Sequence, residues 1–231
     1  MAITRADGAV GNTLGTLVAP LSWLGSLTRM GGLFHPDGVV YRADVRPVQQ
    51  RGALGVLARR LAGAALVRFS GGLRRWPDSA DSRDALGIAV RFRGRDDLSP
   101  EASAGDQDLI FVTARSLLEL PISAFVTNAS DFMANEYYAI LPFTADDQGV
   151  MRWRLVPEAM SPPGEHRRER LSRAVVAGKA VLRLEVHVVD RGEGWASLAE
   201  IVLREEVALD QHELRFSRAN VGKGILPRGL L

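Results

Sequence analysis

Residues 66–92, LVRFSGGLRRWPDSADSRDALGIAVRF, decide how the rest of the chain is read. Two short apolar runs, residues 64–69 and 85–92, bracket a loop crowded with Asp, Ser and Arg, which predicts two buried strands joined by a functional loop. The loop leaves two readings open. Asp78, Asp81 and Asp84 could bind a metal, although their spacing has neither the glycine nor the terminal glutamate of a calcium loop. The same carboxylates could instead cap turns or helix starts and pair with Arg74, Arg75 and Arg83.

On the N-terminal side, residues 53–62, ALGVLARRLA, carry apolar side chains at helical spacing with Arg59 and Arg60 together at one end, and Gly63 stops the pattern. Before that helix lies FHPDGVVYRADVRP, residues 34–47, in which Val39, Tyr41, Ala43 and Val45 alternate with Val40, Arg42 and Asp44 as a strand does. His35 stands at the mouth of this strand, ahead of Pro36, where a fixed backbone can aim an imidazole into a pocket; it is the candidate acid/base among the histidines. Residues 1–32 are moderately apolar and rich in Gly, Leu and Thr, and read as an N-terminal arm packing on a domain of residues 33–231. Membrane-surface contact through this arm and a cleaved signal are its less favoured readings.

On the C-terminal side, residues 94–105 form a polar surface excursion and 108–113, DLIFVT, a third buried strand. Residues 116–132 have mixed helical spacing, with Pro121 suited to a first turn. Residues 135–143 and 150–156 flank a turn at 146–149 and predict a hairpin. Residues 161–178 predict a charged helix with Leu171, Val175 and Val176 toward the core and its arginines in solvent. Residues 181–190 and 197–209 alternate as two long antiparallel strands, with Glu185 and His187 on one face, and the tail after residue 212 reads as an extended run and loop. Seven or eight strands without βαβ alternation give an α+β class: an antiparallel barrel or strongly coiled sheet with interposed and appended helices.

Composition narrows the function. The net charge of +2 gives no reason to expect nucleic acid as a partner, and the absence of cysteine rules out disulfides, thiolate metal sites and cysteine nucleophiles in this chain. No GxSxG, HExxH or Walker pattern occurs, and GAVGNTLG near the start has no preceding strand to make it a phosphate loop. Asp106 and Asp108 form an acid/base pair or are ordinary surface carboxylates near a strand start.

The central stretch resembles the haem catalase superfamily. Val67, Arg68, Phe69 and Ser70 are similar to its VRFS strand, and Ser79 to Asp84 followed by Gly87, Ala89 and Phe92 match its SAD[TS]xRDxxGxAxxF motif. His35, followed by Gly38 and Tyr41, is similar to the distal histidine that begins the first barrel strand, and residues 106–112, DQDLIFV, stand where the family has NNTPVFF. The length resembles that of compact catalase-related proteins of bacteria. The resemblance implies a cytoplasmic, catalase-like β-barrel that binds haem, can form a homo-oligomer, and acts on hydrogen peroxide or small organic hydroperoxides. It implies that His35 moves a peroxide proton, that Ser70 orients the imidazole, that Asp106 or Gln107 holds the distal polar position, and that Arg68, Val67 and Phe111 contact the cofactor, Arg68 through a propionate. Three departures accompany it: Gly32 replaces the family's arginine before the histidine, the distal asparagine has only Asp106 or Gln107 as counterpart, and no tyrosine-bearing helix follows Pro227. Without that helix, the alternative is a non-catalytic barrel for a small apolar or lipid-like ligand.

Overall fold

Alternation of apolar and polar residues becomes a closed sheet. The computed structural model describes residues 38–48, 51–72, 83–116, 118–192, 194–209 and 213–228. Residues 1–37, and with them the N-terminal arm and His35, lie outside the described residues, as do the motif residues Ser79 to Ser82. The first strand, β1 (Gly38–Pro47), turns Val39, Tyr41, Ala43 and Val45 inward as its period-2 pattern requires. Helix α1 (Gly52–Leu61) buries Leu57, Ala58 and Leu61 and carries Arg59 and Arg60 in its last turn, where cations complement the helix dipole. It ends where expected, because Gly63 takes φ +118°, a conformation that L side chains avoid.

Strands β2 (Gly63–Gly71), β3 (Leu86–Phe92) and β4 (Gln107–Val112) follow, each antiparallel to the one before. Then come helix α2 (Leu120–Val126) and strands β5 (Tyr137–Tyr138), β6 (Phe143–Ala145) and β7 (Val150–Pro157). Helix α3 (Arg167–Val176), strands β8 (Val181–Val188) and β9 (Ala196–Glu206), and the short β10 (Ile225–Pro227) complete the fold. β1 pairs with both β2 and β9, and β7 with both β5 and β8, so eight strands close in the order β1-β2-β3-β4-β5-β7-β8-β9, while β6 and β10 extend from β7. The architecture is therefore the α+β, antiparallel β-barrel with interposed helices that the alternation predicts, and closure removes exposed strand edges.

The barrel is filled. Val67, Phe69, Ile88, Phe111, Trp153 and Leu184 point inward and are fully buried, each contributing roughly 1.5–3 kcal/mol of transfer free energy. A one-residue slip in any pairing would turn such a set to the opposite face, so the filled interior locks the register.

Several sequence expectations are corrected. The segment expected as one strand over 135–143 is two pieces, β5 and β6, paired in line along the same edge of β7; Pro142, without an N–H, interrupts the ladder. Within 116–132 the helical spacing becomes the short α2, with Pro121 in its first turn as expected. The arginines of 161–178 are not all in solvent: Arg167 is buried and its NH1 donates to buried Asp84 at 3.0 Å. Asp84 therefore has an ion-pair partner from a helix 83 positions away as well as whatever the local loop offers. Asp106 and Asp108 are buried rather than surface carboxylates. The extended run and loop after residue 212 is anchored to β4, because Asp108 accepts from Ser217 N and Asn220 Nδ2, and Gln107 holds Ile225 by both N–H and C=O.

Candidate functional site

Strand register brings one line of residues around the outside of the barrel. Gly38, Ser70, Gly87, Val112, Tyr138, Arg154 and Glu185 pair in succession across β1, β2, β3, β4, β5, β7 and β8. The inward neighbours, Phe69, Phe111, Tyr137 and Trp153, fill the core, so this line faces outward. Its first part is made of small residues and its second of an aromatic and charged ones.

At the small end, Arg68 and Ser70 share the outer face of β2. A Cβ on Gly38 would lie 2.8 Å from Arg68 Nε and 2.8 Å from Phe69 O, so only glycine lets the Arg68 side chain lie across the start of β1. Ser70 is 3% exposed. Arg68 and Ser70 are thus brought to the first residues of β1, three positions after His35, whose own place lies outside the described residues.

The other site residues expected from sequence are elsewhere. Val67 and Phe111 belong to the filled interior, on the opposite side of the sheet from Arg68 and Ser70. Gln107 pairs with Phe92 at one end of β4, whereas the Ser70 line crosses Val112 at its other end, about 17 Å away at ~3.4 Å per residue. Gln107 Oε1 accepts from Ile225 N at 3.2 Å and Nε2 donates to Ile225 O at 3.1 Å, which satisfies its amide in a structural role. Asp106 Oδ1 accepts from Gly94 N at 2.7 Å, and Oδ2 from Ser103 N at 2.9 Å and Arg93 NH1 at 3.0 Å. Burial alone would raise its pKa, but the Ser103 and Gly94 amides and the Arg93 charge outweigh it and hold the carboxyl below the ordinary range. Such a group stays ionised and is ill suited to exchange protons near neutrality. Asp108 is bound to Arg91 rather than to Asp106: Arg91 Nε and NH2 donate to its two oxygens at 2.9 and 3.0 Å.

All three tyrosines of the chain lie on barrel strands. Tyr41 and Tyr137 are buried, and Tyr137 OH donates to Phe132 O at 2.8 Å. Burial pushes both phenols up, and Tyr138, whose OH donates to Glu136, is raised as well by burial and that carboxylate. Each is a protonated phenol at neutral pH. Among the described residues, no group of three or more His, Asp or Glu side chains is arranged to hold a metal ion.

Sequence reasoning missed the aromatic and charged end. A groove of about 530 Å³ runs between α2 and Tyr138, and a second of about 440 Å³ continues from Tyr138 past Arg152 to Trp195, the two sharing Arg115, Glu136 and Tyr138. Arg115 sits over the Tyr138 ring at 5.8 Å and Arg154 over Trp195 at 4.4 Å. On the α2 side, Leu118, Ile122, Phe125 and Val126 are 57–90% exposed, an apolar patch beside the first groove. The Arg-Trp-Arg alternation at 152–154 signals two arginines on one face. Arg115 and Trp195 lie in connecting segments with no periodicity to announce them.

No family model matches the chain, and no curated protein matches it. Among solved structures, a fungal catalase superposes with a TM-score of 0.50 at 12% sequence identity, covering 89% of this chain and 56% of the catalase chain. This chain thus spans little more than half the length of that catalase. At such identity the likeness is one of fold, and it agrees with the closed eight-stranded antiparallel barrel: the protein has a catalase-like fold.

Proposed function

We propose that the protein is a haem-dependent peroxidase or catalase-like oxidoreductase acting on hydrogen peroxide or small organic hydroperoxides, with His35 as its acid/base. The observation that carries this reading is the placement of Arg68 and Ser70 together on the outer face of β2, against a glycine that opens β1 three residues after His35. In this reading the Arg68 guanidinium is the cation for a cofactor carboxylate, Ser70 fixes the imidazole by a hydrogen bond, and His35 carries a proton between the two peroxide oxygens. Haem, when bound, would supply the redox chemistry. The chain's residues fit its carboxylate side; of the tyrosines, Tyr41 and Tyr137 are buried in the barrel interior and the Tyr138 hydroxyl donates to Glu136, so none is placed as its axial ligand. An axial ligand from these three is not part of the proposal.

Titrating the chain with haemin while following the Soret band tests the reading. Saturable binding with peroxide turnover is expected; His35→Ala should retain the band and lose turnover by about 10²–10⁴-fold, the usual contribution of a positioned acid/base. Arg68→Leu should weaken uptake. Turnover indifferent to His35→Ala, or no saturable band, would sink the enzyme reading. The second reading, a barrel that binds a small apolar or lipid-like molecule without chemistry, is favoured by one observation: the exposed apolar side chains of α2 beside the first groove.

A further inference from the structure

The groove between Tyr138 and Trp195 is a built site that neither the barrel interior nor the Arg68 face uses. Trp195 is held on several sides. Its ring meets Tyr138 edge-on at 6.2 Å, His187 at 5.8 Å and the Arg154 guanidinium at 4.4 Å. Arg154 is itself fixed, with Nε donating to Glu185 Oε2 at 2.7 Å and NH1 lying 3.5 Å from Glu136 Oε2. His187 is fixed through Nδ1, 2.7 Å from Gly194 O. The aromatic floor is therefore preorganised, and a ligand that stacks there loses little freedom on the protein side.

Charge decides what kind of ligand fits. Glu136 is occupied by Arg154 and Tyr138, and Glu185 by Arg154 and Arg183. Arg115 and Arg152 are exposed, line this groove, and make no ion pair among the described residues. Among the described residues lining the two grooves, the other carboxylate is Glu119, at the α2 side of the adjoining groove, where Oε2 accepts from the backbone N–H of Arg115. The groove is thus an aromatic floor lined by two guanidinia without an ion-pair partner among the described residues, Arg115 lying over the Tyr138 ring at 5.8 Å. A guanidinium offers two parallel N–H donors to a carboxylate, and a flat ring gains from Tyr138 and Trp195 contacts that an aliphatic chain does not.

We propose that this groove binds planar aromatic carboxylates, with the ring on Tyr138 and Trp195 and the carboxylate taken by Arg115 and Arg152. The site acts independently of haem, so its test needs none. The full chain is titrated with 2-naphthoate by calorimetry and tryptophan fluorescence, in parallel with 2-naphthylmethylammonium and cyclohexanecarboxylate. Saturable one-to-one binding of 2-naphthoate is expected, at least about tenfold tighter than either control. Arg115→Gln with Arg152→Gln should weaken it by about tenfold or more while leaving the unfolding transition in place, because both side chains are exposed. Trp195→Phe should keep binding, and Trp195→Ala should weaken it. Equal affinity for the ammonium analogue, equal affinity for the cyclohexane analogue, or an arginine double variant that binds as the parent does would each overturn the proposal.

Discussion

Asp108→Asn is the sharpest test of what holds the barrel to its C-terminal segment. Asp108 and Arg91 have fully buried side chains and form a two-pronged ion pair, with Nε to Oδ1 at 2.9 Å and NH2 to Oδ2 at 3.0 Å. Asp108 Oδ2 also accepts from Ser217 N at 2.8 Å and Asn220 Nδ2 at 2.7 Å, while Arg91 donates to Pro100 O and Arg215 O and lies over the Phe216 ring at 5.0 Å. Replacing the carboxylate by an amide of the same shape leaves the Arg91 charge buried without its counter-ion and turns an NH2 group toward other donors. Breaking a buried pair from one side costs about 3–5 kcal/mol. At ~2–4 °C per kcal/mol for a chain of this size, the melting temperature should fall by roughly 6–20 °C. Urea unfolding followed by far-UV circular dichroism measures the loss, and amide exchange at Ser217 should rise with it. A loss below about 1 kcal/mol, the size of an exposed pair, would refute the argument. The double variant Arg91→Met, Asp108→Leu should recover part of the deficit, since no net charge is left buried, but not all of it, since Ser217 N and Asn220 Nδ2 lose their acceptor.

Gly222→Ala should also loosen the C-terminal segment: its Cβ would stand 2.3 Å from backbone atoms of Gly105 and 2.7 Å from Asp106 N, none of which can rotate away. A cost of about 1–3 kcal/mol is expected, with faster exchange at the Gly222 and Ile225 amides, and unchanged exchange there would contradict the packing. The depressed pKa of Asp106 contributes stability above the carboxyl's ordinary value that disappears as pH falls through the lower folded value. The urea midpoint of the parent should therefore drop more steeply below about pH 4 than that of Asp106→Asn, and parallel curves would show that the carboxylate contributes no such linkage.

How much of this was legible depends on the range of the signal. The strands at 39–45, 64–69, 85–92 and 181–188 were readable because side-chain alternation is set residue by residue, and the end of α1 because Gly63 has the one backbone that suits the turn. The VRFS stretch pointed to Arg68 and Ser70, and alternation alone puts them on one face. Gln107 and Asp106 were assigned to the same neighbourhood by motif position, yet they stand at the far end of β4 and anchor Ile225, Gly94 and Ser103. Arg167, expected in solvent from its highly charged helix, is drawn inward by Asp84, a partner no local window contains.

By itself, the sequence determined that the chain makes antiparallel strands with apolar interiors, where the first helix stops, and that one strand carries an arginine and a serine side by side. Those are properties of neighbouring residues and of the free energy of hiding alternate side chains from water. Tertiary structure decided the closure of eight strands, the fate of each buried carboxylate, and the meeting of Arg115, Tyr138, Arg152 and Trp195 in one groove. These depend on which strand edges meet and in what register, and pairing between residues far apart in the chain leaves no mark in any local pattern.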